Sequence, residues 1–481
     1  MHMKCEFGQF TETLETPKMS SSAPFETAMD LSQPAAAAPA SASPELSQAQ
    51  LDAFWMPTSG NRQFKKDPRL MVSAQGCYYR DPAGRRIFDG LSGLWTCGLG
   101  HGNEAIAEAV SRQVRSLDYA PAFQFGHPLS FRLAEQIVRR MPAGLGHVFF
   151  TGSGSESADT SLKMARAYWR LKGQASKTRF IGRAKGYHGV NFGGTSVGGI
   201  PGVRKAFGAG VEADHLAHTL LPGNEFSRGQ PEKGAHLAEE LLELITLHDA
   251  SNIAAVIVEP FSGSSGIIVP PRGYLQRLRE ICDAHDILLI FDEVITGFGR
   301  LGAWTGAEAF GVTPDILNFA KQVTNGAVPM GGVVAREDIY RTFMEAGGAH
   351  YNIEFQHGYT YSAHPLACAA GLATLEQIEQ QQALARVREL APYFEQAVHG
   401  LKGCRHVTDI RNIGLAAGLT IAALPGEPTR RPFEIAVRAW EKGFYLRYGG
   451  DTIQLAPPFV AERSEIDALV NMLGETLAEQ P

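Results

Sequence analysis

Residues 287–325 read ILLIFDEVITGFGRLGAWTGAEAFGVTPDILNFAKQVTN, and this stretch decides the fold. An apolar run over 287–291 stops at the acidic pair Asp292-Glu293. Past Gly297, Gly299 and Gly302, a second apolar run over 316–320 stops at a single basic residue, Lys321. Short apolar runs bounded by turn residues read as strands buried on both faces, as in a parallel sheet. Each strand then delivers one charge at its C-terminal end, the edge of an open parallel sheet where ligands bind.

A chain of 481 residues exceeds what one core supports, so two or more domains are expected. Hydrophobic content of 44% and charged content of 20% are those of an ordinary globular protein. A net charge of −6 argues against nucleic acid, whose binding depends on Lys and Arg contacts to phosphate. No apolar run is long enough to span a membrane. The 6 cysteines form no CxxC pair and read as reduced thiols of a cytoplasmic protein. His215 and His218 have no further ligand pattern beside them, so no metal is expected.

Residues 1–45 are rich in Ala, Pro, Ser and Thr and are expected to be a disordered extension. No charged segment leads into an apolar one there, so they do not read as a signal peptide, and Met19 or Met29 could be the true start. Short strands are expected at 70–73 and 77–79, then a helix carrying Ile106, Val110, Val114 and Leu117. A strand over 253–259, a helix with Leu275, Leu278 and Ile281, and a strand over 287–291 make a parallel, right-handed crossover unit. Helices follow to about residue 401, then strands near 414–421 and 444–447, and a last helix over 464–477 capped by Ser464. The class is α/β. A large domain over 100–365 holds a mostly parallel sheet between helices, and 46–99 joins 366–481 in a smaller α+β domain.

The loop 151–156, TGSGSE, follows an apolar strand and precedes a helix stripe of Ala158, Leu162, Ala165 and Trp169. Glycines at such a turn let backbone N–H groups close around a phosphate, although a tight serine-capped turn reads the same way. No Lys-Ser/Thr follows, so this is not a P-loop. Tyr187, in GYHG, could lay its ring on a planar ligand or be a half-buried loop tyrosine. Glu259 ends its strand as Asp292 and Lys321 end theirs, and three such charges in one domain call for partners. An aspartate facing a pyridine nitrogen keeps it protonated and makes the ring an electron sink. A lysine in an apolar setting loses its charge more readily and becomes a nucleophilic amine. The rival motif GTSVG at 194–198 matches a hydrolase nucleophile elbow, but the surrounding glycines and Pro201 are expected to prevent the helix that an elbow requires.

With these residues assembled, the chain resembles the class III (ω) aminotransferases that use pyridoxal phosphate, and within them the ω-amino acid (β-alanine):pyruvate branch. The motifs are FDEVITGFGR, TPDI, AK and TNGAVPMGG in sequence, with HGYTYSAHPLACAA beyond them, and the likeness spans about residues 50–478. It implies the fold type I architecture of pyridoxal-phosphate transferases. Lys321 then carries the cofactor, Asp292 holds its pyridine nitrogen and Val294 packs beneath the ring. Gly154 and Ser155 bind the phosphate, Tyr187 stacks on the ring, and Glu259 lies near its edge. Thr360 reaches the phosphate of a neighbouring subunit, implying a homodimer, with pairing into tetramers left open. Arg447, in FYLRYGGDTIQ, grips the substrate carboxylate with Gln454 nearby, and Trp95 walls the substrate pocket unless it is a core tryptophan. The substrates implied are an ω-amino acid or amine and pyruvate. The same scaffold also admits an aminomutase, racemase or decarboxylase, or a non-catalytic protein. Two positions depart from the family pattern: Gln322 stands where Gly is usual and is expected to narrow the pocket or shift the backbone, and Gly152 replaces an Asn, so that one hydrogen-bond partner is expected to be missing.

Overall fold

The computed structural model describes residues 46–480, so the extension expected over 1–45 lies outside the described residues. The strands in order are β1 (Ser73–Gln75), β2 (Tyr78–Arg80), β3 (Arg86–Asp89), β4 (Leu145–Thr151), β5 (Arg179–Arg183), β6 (Ala213–Leu216), β7 (Ile253–Val258), β8 (Leu288–Asp292), β9 (Ile316–Ala320), β10 (Gly331–Arg336), β11 (Val407–Ile413), β12 (Ala416–Ile421), β13 (Phe444–Tyr445), β14 (Arg447–Gly449) and β15 (Thr452–Leu455).

Seven of them form the central sheet in the order β4-β10-β9-β8-β7-β5-β6. β7, β8 and β9 are buried along their whole length, which is why their sequences are continuously apolar rather than alternating. The pairs β6–β5, β5–β7, β7–β8 and β8–β9 are parallel. β10 runs antiparallel to both β9 and β4, so the sheet is mixed at that side. The helix Tyr274–Ala284 links β7 to β8 and buries Tyr274, Leu275, Leu278 and Ile281, giving the crossover unit read from the sequence. Because β7, β8 and β9 are consecutive neighbours, Glu259, Asp292 and Lys321 come together at one sheet edge.

Two smaller sheets flank this one. β13 lies parallel to β3 and so joins the two ends of the described chain, in the order β1-β2-β3-β13. The antiparallel sheet β11-β12-β15-β14 sets Arg447 directly opposite Gln454.

Three local expectations need correction. The first strand begins at Ser73 rather than 70, although Val72 N–H still bonds Arg80 O at 2.8 Å. The last helix, Arg463–Glu479, is capped by Glu462, whose N–H donates to the Glu465 carboxylate at 2.9 Å, and not by Ser464. The 194–198 stretch does enter a helix, Phe192–Val197. Tertiary packing overrides the poor helix propensity of glycine there: a Cβ on Gly194 would stand 2.1 Å from His188 O. Ser196 is still no nucleophile. It is buried, donates to Phe192 O at 2.6 Å, and accepts from the N–H groups of Gly210 at 2.7 Å and Val211 at 3.1 Å.

Candidate active site

Lys321 follows β9 directly and has a φ of +52°, a left-handed backbone rare for a long side chain. Burial pushes its amine down to about 8, with Arg447 adding to that effect and Asp292 and Glu259 opposing it. No hydrogen bond or ion pair engages the amine among the described residues. Desolvation wins over two carboxylates because neither forms a salt bridge with it.

Asp292 is engaged elsewhere. One carboxylate oxygen meets His188 Nδ1 at 2.8 Å and the other accepts the Val294 N–H at 3.2 Å. The His188 side chain is fully buried, and its Nε2 has no partner among the described residues. Sequence reasoning passed over His188, because a lone histidine on a loop does not announce a carboxylate 104 residues away. The second member of the acidic pair has a separate job. Burial pushes Glu293 up to about 7, and its carboxylate accepts the N–H groups of Gly306 and Ala307, bracing the loop after β8.

Glu259 anchors the tyrosine loop. Its oxygens accept the Tyr187 N–H at 2.9 Å and the Gly263 N–H at 3.1 Å, and burial raises its carboxyl. Burial also pushes the Tyr187 phenol up, against the opposing charge of Arg447. Tyr187, Glu259, Asp292, Lys321 and Arg447 thus share one electrostatic environment.

The helix Gly154–Leu171 points its N-terminus at the same edge. Ser153 caps it by accepting the Glu156 N–H, which leaves the N–H groups of Gly154 and Ser155 for a ligand. A Cβ on Gly154 would stand 2.9 Å from a Val294 methyl, so only glycine lets Val294 sit against this turn. Gly189, at φ +92°, likewise has room for no Cβ beside Ser155, whose hydroxyl accepts the Val190 N–H at 3.1 Å. The Gly152 N–H donates to the Glu156 carboxylate at 2.6 Å.

Arg447 is half-buried, and its guanidinium has no hydrogen-bond or ion-pair partner among the described residues. Gln454, opposite it, is buried, donates to Ser264 O at 2.9 Å, and leaves its side-chain oxygen unpartnered. Trp95 is 2% exposed, at φ +68°, and packs 6.4 Å from the Phe261 ring, with its indole N–H unpartnered. Thr360 is exposed and hydrogen-bonds to none of these residues within the chain; its carbonyl accepts from Tyr119 Oη at 3.0 Å. The Gln322 side chain turns to Gly98, whose N–H it accepts at 2.6 Å.

Residues 60–477 match the family described as aminotransferase class III. This chain belongs to the class III aminotransferases. It is 60% identical over 448 residues, 93% of its own length and 99% of the other's, to a β-alanine–pyruvate aminotransferase of Pseudomonas aeruginosa. It is 58% identical to an ω-amino acid–pyruvate aminotransferase of Pseudomonas putida, over 90% of this chain and 96% of that one. An amine transaminase from an uncultivated Pseudomonas species, solved with pyridoxal phosphate bound, superposes with a TM-score of 0.81 at 35% identity, covering 89% of this chain and 98% of that one. The fold is therefore that of the fold type I pyridoxal-phosphate transferases, and the enzyme is a pyridoxal-phosphate transaminase.

The residues present fit that cofactor. A helix N-terminus with free N–H groups suits its phosphate, a carboxylate held from two sides suits its pyridine nitrogen, and a half-buried, unpaired amine suits its aldehyde. Replacing His188 with Ala removes one hydrogen bond to a charged group, a loss of about 1.5–3 kcal/mol. Equilibrium dialysis of pyridoxal phosphate from His188→Ala should show affinity lowered by roughly tenfold or more; unchanged affinity would remove His188 from the site.

Proposed function

We propose that this enzyme moves an amino group from an ω-amino acid such as β-alanine, or from a simple amine, to pyruvate, giving an aldehyde or oxo acid and alanine. One observation carries the proposal: an arginine with no anionic partner, Arg447, within electrostatic reach of the half-buried Lys321 amine. A guanidinium fork is the natural bidentate partner of a carboxylate, which both β-alanine and pyruvate bring. The names of the Pseudomonas relatives support the same pair of substrates.

Each residue has a role in this reading. The N–H groups of Gly154 and Ser155 and the Ser155 hydroxyl hold the phosphate, with Thr360 reaching it from a second subunit. Tyr187 and Val294 would pack against the ring. Asp292, fixed by His188, keeps a proton on the pyridine nitrogen, and Glu259 holds Tyr187 in place. When bound, pyridoxal phosphate supplies an aldehyde that exchanges for the substrate's amine and a ring that draws electrons from the amine-bearing carbon. Lys321 anchors the cofactor between turnovers. Its amine, whose affinity for protons desolvation lowers, would act as the acid–base group at the donor's amine-bearing carbon. Arg447 and Gln454 orient the substrate carboxylate, and Trp95 bounds the pocket.

The homodimer belongs to this proposal as well. Phe125 and Phe131 are each 73% exposed and Tyr361, next to Thr360 in the chain, is 65% exposed, apolar side chains that a second subunit would cover. Sedimentation should give the mass of a dimer or of a pair of dimers; a fully active monomer would refute it. The division into a large domain over 100–365 and a small one from both chain ends is proposed on the β3–β13 pairing. No helix among the described residues is long and apolar enough to cross a membrane. The cysteines among the described residues are free, which supports our placing the enzyme in the cytoplasm.

Two variants test the chemistry. Lys321→Ala should abolish alanine formation from β-alanine and pyruvate. Arg447→Ala, having lost a bidentate charge-assisted pair, should lose about 10- to 100-fold in kcat/KM for β-alanine and much less for a donor without a carboxylate. Equal losses for both donors would count against Arg447.

A further inference from the structure

Gln322 is 3% exposed, and none of the chemistry above uses it. Its Oε1 accepts the Gly98 N–H at 2.6 Å, and its Nε2 donates to Asn325 Oδ1 at 3.2 Å. Asn325 continues the clamp: Oδ1 also accepts the Leu99 N–H at 2.9 Å, and Nδ2 donates to Gly100 O at 2.8 Å. Two side chains of the turn after β9 thereby hold three consecutive backbone units, Gly98, Leu99 and Gly100. That segment has no slack. A Cβ on Gly98 would stand 2.4 Å from the Phe459 ring and 2.6 Å from Gln322 Oε1, and Gly98 O accepts the Phe459 N–H at 2.7 Å.

The turn needs such a clamp. It begins at Lys321 with φ +52° and ends at Asn325 with φ +48°. Asparagine tolerates the left-handed region, whereas lysine is strained there and stays only where its surroundings over-determine the backbone. The segment on the far side of the clamp leads back, in three residues, to Trp95, itself at φ +68°. Glycine at 322 would leave the buried Gly98 N–H without its acceptor and remove one of the two clamping side chains.

We propose that Gln322 is a positioning residue: it locks the left-handed backbone of Lys321 to the Gly98–Leu99–Gly100 segment, so that the reactive amine and the Trp95 wall are held as one unit. Its amide thus sets both the reach of the Lys321 amine and the width of the pocket. This rests on the roles given above to Lys321 and Trp95. The competing role is simple space-filling, which a side chain of equal volume would serve as well.

The test uses Gln322→Met, which keeps the volume and loses the acceptor, Gln322→Glu, which keeps the acceptor for Gly98, and Gln322→Gly. Each is read in the cofactor-loaded enzyme by amide hydrogen exchange over residues 95–101 and by the pH midpoint of the bound cofactor's visible absorbance. Gln322→Met and Gln322→Gly should raise exchange at Gly98 by about tenfold or more, the loss of a local hydrogen-bonded constraint. They should also move the absorbance midpoint by about half a pH unit or more, because the Lys321 amine shifts relative to its charged neighbours. Gln322→Glu should keep Gly98 exchange within about threefold of wild type, because its carboxylate still accepts that N–H. A Gln322→Met enzyme with wild-type exchange and midpoint would overturn the proposal. If Gln322→Gly does not fold, the other two variants still decide. Should the wild-type enzyme make no alanine from β-alanine and pyruvate, the substrate proposal falls, while these two readouts still judge Gln322.

Discussion

The site depends on one imbalance: the half-buried, partly desolvated Lys321 amine lies beside a carboxylate that is already engaged. Desolvation lowers an amine's affinity for protons, and a nearby carboxylate raises it. Had Asp292 formed a close pair with Lys321, the ammonium form would have been stabilised and its nucleophilicity lost. The fold prevents this by giving Asp292 to His188 Nδ1 at 2.8 Å and to the Val294 N–H at 3.2 Å. The aspartate keeps the orientation its proposed pyridine partner needs, and the lysine keeps a free amine near neutrality at about 8. Parallel pairing of β8 with β9 makes this possible, because it sets Asp292 and Lys321 at the same edge and Glu259, after β7, next to them.

Close approaches of backbone to side chain hold the rest in register. Gly154 admits Val294 to the helix N-terminus, and Gly189 brings the Tyr187-His188 loop against Ser155. Gly98 meets both Phe459 and Gln322. A site assembled from residues this far apart in sequence needs such contacts, because each loop is otherwise free to settle by an ångström or more. Buried charges serve the same end: Arg300, pushed down to about 9 by burial, binds the backbone of Leu415 and Pro457 and the Ser92 hydroxyl, tying the Trp95 segment to the C-terminal sheet.

Much of this was legible from sequence wherever the signal was local. Apolar runs ending in charged residues announced β7, β8 and β9 and the charges at their ends. The TGSGSE turn announced a helix N-terminus. What could not be read were pairings set by tertiary packing. His188 gives no sign of Asp292, and β10 gives no sign that it runs antiparallel between β9 and β4. Gly193 and Gly194 are helical where their composition argues against it, packed so closely that a Cβ on Gly194 would stand 2.1 Å from His188 O, and the extended Gly198 ends the helix. Gln322 is the sharpest case: chain order put it beside the reactive lysine and suggested crowding, while the left-handed turn at Lys321 directs it away to Gly98.

The central claim, that burial and not pairing sets the state of Lys321, is tested most directly by titrating that one amine. The pH dependence of its acylation in cofactor-free enzyme, quantified by mass spectrometry of the peptide containing Lys321, gives the midpoint. This account predicts a midpoint near 8. A midpoint near the ordinary lysine value of about 10.4 would contradict it.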